Sequence, residues 1–205
     1  MGNLLLVVAA SFACPSSQTP LLLLYASLLA FASGLEASLA PAIEHISRRS
    51  PAGWLAQVSG LLLLAAWLHG PLCGAAPTAL WEPLLGATAL IAGAALRAAA
   101  IVRLGARFTS DNHIETGAGL ETGGLYRRLA HPSELGLLLL ALGAAVFWGD
   151  VHAALIVAAL YSVTLARLRF EEVALTRHHG SLYAAYRRAT FDPFPTLTPR
   201  GVAGA

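Results

Sequence analysis

Lysine is absent from this 205-residue chain, and all 13 of its basic residues are arginine. Charge of either sign is scarce: Asp, Glu, Lys and Arg make up 12% of the residues, about half of what a soluble domain carries. That shortage excludes a disordered chain, a nucleic-acid binder with a basic face and most water-soluble enzymes. Cysteine is nearly missing too. Cys14 and Cys73 lie in apolar, proline-containing stretches with no CxxC or Cys/His spacing, so no zinc site and no disulfide framework is indicated. What is abundant is apolar: 57% of the residues are hydrophobic, the mean hydropathy is +0.66, and the apolar side chains come in blocks. The chain reads as a membrane protein.

A bilayer core about 30 Å thick needs about 20 apolar residues per helix. Leu21–Ala40, broken only by Glu36, meets that length, as do Ala52–Gly70 and Ala79–Val102. The third opens on Trp81-Glu82-Pro83, which resembles an interfacial anchor. Leu135–Gly149 and Val151–Ala166 are shorter and separated only by a Gly149-Asp150 turn. A turn that tight predicts an antiparallel helical hairpin, with Gly149 supplying an unusual φ. Its helices either sit in thinned bilayer or run on beyond it. The opening run Leu4–Ala13 is too short to span and lacks a basic leader region, so it is expected to stay in the mature chain at the outer interface. The expectation is an all-α polytopic protein with five transmembrane helices. Residues 1–80 form its N-terminal helices and 81–205 its core.

Arginine placement predicts orientation. Arg48 and Arg49 follow the first span, Arg103, Arg107, Arg127 and Arg128 follow the third, and Arg167, Arg169, Arg177, Arg187, Arg188 and Arg200 lie in the tail. The alternate links carry none. This separation puts the N-terminus outside and the tail in the cytoplasm, in what is expected to be a bacterial inner membrane.

Reactive side chains concentrate between Arg103 and Pro195. Glu36, Glu44, His45 and His69 read as isolated groups at span ends. A Gly-rich stretch runs through Thr116-Gly117-Ala118-Gly119 and Thr122-Gly123-Gly124-Leu125-Tyr126-Arg127. His131-Pro132-Ser133 follows, where Pro132 suits the first turn of a helix and holds His131 out of helical geometry. Free amides and the positive end of that helix favour an anionic group. Arg167, Glu171 and Glu172 sit at the far end of the partner helix, so the antiparallel hairpin brings the acids to His131. Taken singly, each piece also reads blandly, as a flexible link, a helix cap and a solvated ion-pair face.

The order of these residues adds a further indication. Leu104-Gly105-Ala106-Arg107-Phe108-Thr109, Thr122-Gly123-Gly124-Leu125-Tyr126 and His131-Pro132-Ser133-Glu134-Leu135-Gly136 resemble the isoprenylcysteine carboxyl methyltransferase family of integral membrane enzymes. The tail, Arg167-x-x-x-Glu171-Glu172-x-x-Leu175 and Gly180-x-x-Tyr183-x-x-Tyr186-Arg187-Arg188, continues the likeness. It implies methyl transfer from S-adenosylmethionine to a lipophilic or lipidated acceptor, at a cofactor pocket on the cytoplasmic membrane face. Tyr126, His131, Pro132, Leu135, Gly136, Arg167, Glu171, Glu172 and Tyr183 are expected to hold the cofactor, with His131, Glu172 and Arg127 in catalytic roles. No metal is expected.

Two positions depart from the family's pattern: Ala130 stands where the family usually has Arg, and Glu134 where it has an aromatic. Arg127 or Arg128, one turn earlier, are the candidate substitutes for that Arg. Carboxylate, amine, thiol and hydroxyl acceptors all stay open, and Glu134 slightly favours the last three. A reductase relative and a non-catalytic protein that keeps the fold are the other two readings.

Overall fold

The structure is a computed structural model, and its described residues are 19–39, 51–73, 76–105 and 119–194. The Leu4–Ala13 run, Cys14, Glu44, His45, Arg48, Arg49, Ala106–Ala118 and Arg200 lie outside them. Among the described residues there are six α-helices: α1 Thr19–Leu39, α2 Pro51–Leu72, α3 Trp81–Leu104, α4 Pro132–Phe147, α5 Ala153–His179 and α6 Ser181–Ala189. A 3-10 turn, Gly124–Arg127, precedes α4.

Helices α1, α2, α3 and α5 are long and apolar enough to cross a membrane, whereas α4 has 16 residues and falls short of that length. Among the described residues, four of the five expected spans are thus full-length helices, and the Leu135–Gly149 segment forms a helix too short to count as a fifth. Because α5 does not stop at Ala166 but runs for 27 residues to His179, it is about 40 Å long at 1.5 Å per residue. Counted from Ala153, a hydrocarbon core of about 30 Å ends near Glu172, so Glu171 and Glu172 lie at its edge, Arg167 about one turn inside it, and the last turns reach past it. The hairpin turn is wider than Gly149-Asp150. It takes residues 148–152, with Gly149 at φ 60°, and Asp150 Oδ1 accepts the amides of His152 (2.9 Å) and Ala153 (3.2 Å) to start α5.

Large apolar side chains such as Leu23, Phe31, Leu61, Leu84, Ile91 and Leu155 are exposed on the helices, as expected where the surrounding medium is lipid. The chain is an integral membrane protein. In lipid, close packing rather than water exclusion holds helices together, and small residues permit it. Along α3 and α4 these are Gly86 and Gly93 against Gly136 and Gly143. A Cβ on Gly93 would stand 2.8 Å from the Gly136 carbonyl, and one on Gly86 would stand 2.4 Å from the Phe147 backbone. The Gly86/Gly93 spacing thus serves packing within the chain. Core residues come from α1 through α5, with Tyr25, Phe147 and Trp148 fully enclosed. Tyr25 donates to the Trp67 carbonyl (2.9 Å), tying α1 to α2.

Candidate active site

Pro132 occupies the first turn of α4, and His131 just before it is non-helical (φ −130°, ψ 65°). Proline lacks an amide hydrogen, and the next amides of a first turn have no partner inside the helix. Helix α5 runs antiparallel to α4, so its end returns beside this start. His131 Nε2 lies 3.4 Å from Glu172 Oε1, and Nδ1 lies 3.9 Å from Glu171 Oε1. The imidazole and the Glu172 carboxylate are each 4% exposed, while Glu171 is 37% exposed. Residues forty positions apart are thus joined as the hairpin predicts.

The other members come from the tail. After α6, the chain doubles back beside the strand-like stretch before α4: Ala130 donates its amide to the Phe191 carbonyl (3.1 Å), and Phe191 donates to the Arg128 carbonyl (2.9 Å). That pairing sets Asp192 and Phe194 on the site. Arg187 binds Glu172 Oε1 through Nε (2.9 Å) and Asp192 Oδ2 through Nη2 (2.5 Å). His131, Glu172 and Asp192 bring three ligand-capable atoms within 4.8 Å of one another, but a guanidinium already binds both carboxylates. Phe194 meets the His131 ring edge-on at 6.3 Å and stacks on Tyr161 at 6.2 Å.

Burial disfavours a charged His131, yet the Glu172 hydrogen bond and the charges of Glu171 and Asp192 outweigh it, so its pKa lies above the ordinary histidine value. Burial, the largest cause, raises the Tyr126 and Tyr183 hydroxyls, and nearby carboxylates add to it. Tyr186 is pushed up to about 12 by burial against the opposing pull of Arg187. All three tyrosines therefore stay neutral hydrogen-bonding groups at physiological pH. Tyr186 donates to the Leu129 carbonyl (3.3 Å) and closes α6 over the loop. Tyr183 Oη and Thr164 Oγ1 are buried without a hydrogen-bond partner among the described residues. Thr164, Leu168 and Glu172 follow one another at four-residue spacing along the buried face of α5.

Several expected residues lie elsewhere. Arg167 is not paired along its own helix: its Nη1 lies 3.2 Å from Glu134 Oε2 on α4, so a solvated face is replaced by a buried interhelical pair. Gly136 faces α3, where a Cβ would meet Arg97 at 2.9 Å; Leu135 is only half-buried. Arg127 is exposed on the 3-10 turn and shares no ion pair with the cluster among the described residues.

Arg97 and Asp192 escaped the sequence reading, and Arg187 entered it only within the tail motif. Arg97 on α3 donates to Ser133 Oγ (2.9 Å) in the first turn of α4 and binds Glu36 of α1. A lone arginine inside an Ala-rich span was the available signal, because ionisable groups within membrane helices rarely face lipid. Glu36 and His69 are likewise not isolated, since His69 pairs with Asp150.

Residues 85–177 match the Isoprenylcysteine carboxyl methyltransferase (ICMT) family. A relative in Arabidopsis thaliana, Protein-S-isoprenylcysteine O-methyltransferase A, is 30% identical over 118 residues, covering 56% of this chain. The chain spans 60% of that relative's length. A solved structure of the eukaryotic intramembrane Ras methyltransferase ICMT superposes with a TM-score of 0.65 at 20% identity, covering 94% of this chain and 72% of that one. That likeness concerns the fold. Residues 85–177, which hold the His-Pro helix start and the paired glutamates, thus match the isoprenylcysteine carboxyl methyltransferase family, and the bundle around them has the fold of a solved intramembrane methyltransferase.

Proposed function

We propose that the chain is a membrane methyltransferase that uses S-adenosylmethionine to esterify the carboxylate of a lipidated, isoprenylcysteine-type acceptor at the cytoplasmic face. The observation that carries this reading is the buried cluster of His131, Glu172 and Arg187 at the start of α4. Its donor set fits the cofactor. Glu171 and Glu172 suit an ammonium, the first-turn amides of α4 suit a carboxylate, and the Tyr183 hydroxyl, without a hydrogen-bond partner among the described residues, offers a further polar contact. When bound, S-adenosylmethionine supplies an electrophilic methyl: a carboxylate oxygen forms the new C–O bond, the C–S bond breaks, and its electron pair stays on sulfur.

The arrangement of His131 supports a carboxylate acceptor over one that must lose a proton. Both of its ring nitrogens face glutamates, and the imidazole is held towards its charged form, so it is poorly placed as a general base. A carboxylate needs none. It needs a cation to orient it, and Arg97 brings a planar guanidinium to the α4 first turn, where Ala130 has replaced the family's usual Arg. The arginine-rich links support the cytoplasmic assignment of this end.

Thermal unfolding of the detergent-solubilised protein separates this reading from a reductase or a non-catalytic relative. S-adenosylmethionine or S-adenosylhomocysteine raises the melting temperature by several degrees, as a ligand selective for the folded state must, and NADPH does not. Stabilisation by NADPH alone, or by neither, contradicts the assignment.

A further inference from the structure

The Arg97 site already contains a carboxylate. Glu36 Oε1 accepts from both Nε (2.9 Å) and Nη2 (2.6 Å) of Arg97, while Nη1 reaches Ser133. One oxygen therefore takes two donors. A guanidinium binds a carboxylate best with two oxygens on two parallel N–H groups, and Glu36 does not reach that geometry. It is also 34% exposed, against 14% for Arg97. Beside the pair lies a shallow gap with room for about one water, lined by Ala32, Glu36, Ala94, Arg97, Ala98 and Leu140. The gap lies where α1, α3 and α4 meet, beside the guanidinium.

Resting on the functional reading above, we propose that Glu36 is an internal stand-in for the acceptor's carboxylate, holding Arg97 until an acid-headed lipid displaces it. The displacing carboxylate takes both guanidinium edges. Glu36 then swings to its exposed side, where water solvates it at little cost. The exchange sets specificity, because an uncharged head group cannot compete for a guanidinium that already has an anionic partner. Glu36 is a positioning residue with a competitive effect, so its removal improves acceptor binding.

The test uses the full chain in phospholipid nanodiscs, with N-acetyl-S-farnesylcysteine as acceptor and its carboxamide as an inhibitor that lacks the charge. Glu36→Gln lowers KM for the acid about threefold to fivefold, the range of a partly exposed ion pair, and leaves inhibition by the carboxamide unchanged. Glu36→Ala moves KM further in the same direction. An unchanged or raised KM in folded variants, or failure of both variants to fold, makes Glu36 a strut and overturns the proposal while leaving the methyltransferase reading intact. A wild-type protein that binds S-adenosylhomocysteine but never methylates the acid overturns the carboxylate reading and this proposal together.

Discussion

Glu172→Ala weakens S-adenosylhomocysteine binding by about a hundredfold or more while the helical bundle stays assembled. Glu172 Oε1 is shared between His131 Nε2 and Arg187 Nε, so truncation leaves a buried histidine and a guanidinium facing each other without their common anion. Truncating one partner of a buried charge pair across a binding interface, here an acid against the cofactor's ammonium, costs about 2–5 kcal/mol, and about 1.4 kcal/mol is tenfold in affinity. The same change takes away an acid that suits the cofactor's ammonium. The apolar core lies apart from this cluster, around Tyr25, Leu90, Phe147 and Trp148, which keeps the fold. Glu171→Ala has a smaller effect, since its carboxylate is over a third exposed and screened by water. Calorimetric titration, with circular dichroism to verify helix content, reads both variants. Equal affinity of Glu172→Ala and wild type removes the acid from the site.

The second large effect is on stability. Gly86→Val destabilises the bundle by about 3 kcal/mol or more, or prevents assembly. The first carbon of any side chain there would stand 2.4 Å from the backbone nitrogen and Cα of Phe147, and backbone cannot rotate away as a side chain can. α3 and α4 must therefore separate, losing the contacts at Gly93, Gly136 and Gly143 as well. Overpacking in a close-packed interior costs about 1–3 kcal/mol even where side chains can adjust. Gly60→Val is the control, because nothing lies within 4 Å of its added carbon. Thermal unfolding in detergent shows a large drop for the first and almost none for the second; equal melting temperatures contradict the packing.

Much of the site was legible in sequence because the signals were local. His-Pro fixes a helix start whatever surrounds it, and two apolar blocks joined by a short turn must run antiparallel. Together they place His131 beside Glu171 and Glu172. The longer reach of α5 was ambiguous, since Arg167 to His179 is too polar for a span yet continues the helix without a breaker. What was not legible depends on which helices neighbour one another. Arg167 looks paired with Glu171 one turn on, but the nearer carboxylate is Glu134 on α4. Arg97 and Glu36 lie in separate apolar spans, and nothing in either span names the other. Arg187 and Asp192 reach the cluster only because the chain after α6 returns beside Leu129, a contact between segments far apart in sequence.

Carboxyl methylation is read from the product itself. Wild-type protein in lipid nanodiscs is given methyl-labelled S-adenosylmethionine and N-acetyl-S-farnesylcysteine, and the organic extract is treated with mild alkali. Label that enters the farnesylated compound and is then released as methanol is the predicted result, because only a carboxyl methyl ester hydrolyses so readily. Label that survives alkali, or none transferred by a protein that remains folded, contradicts it.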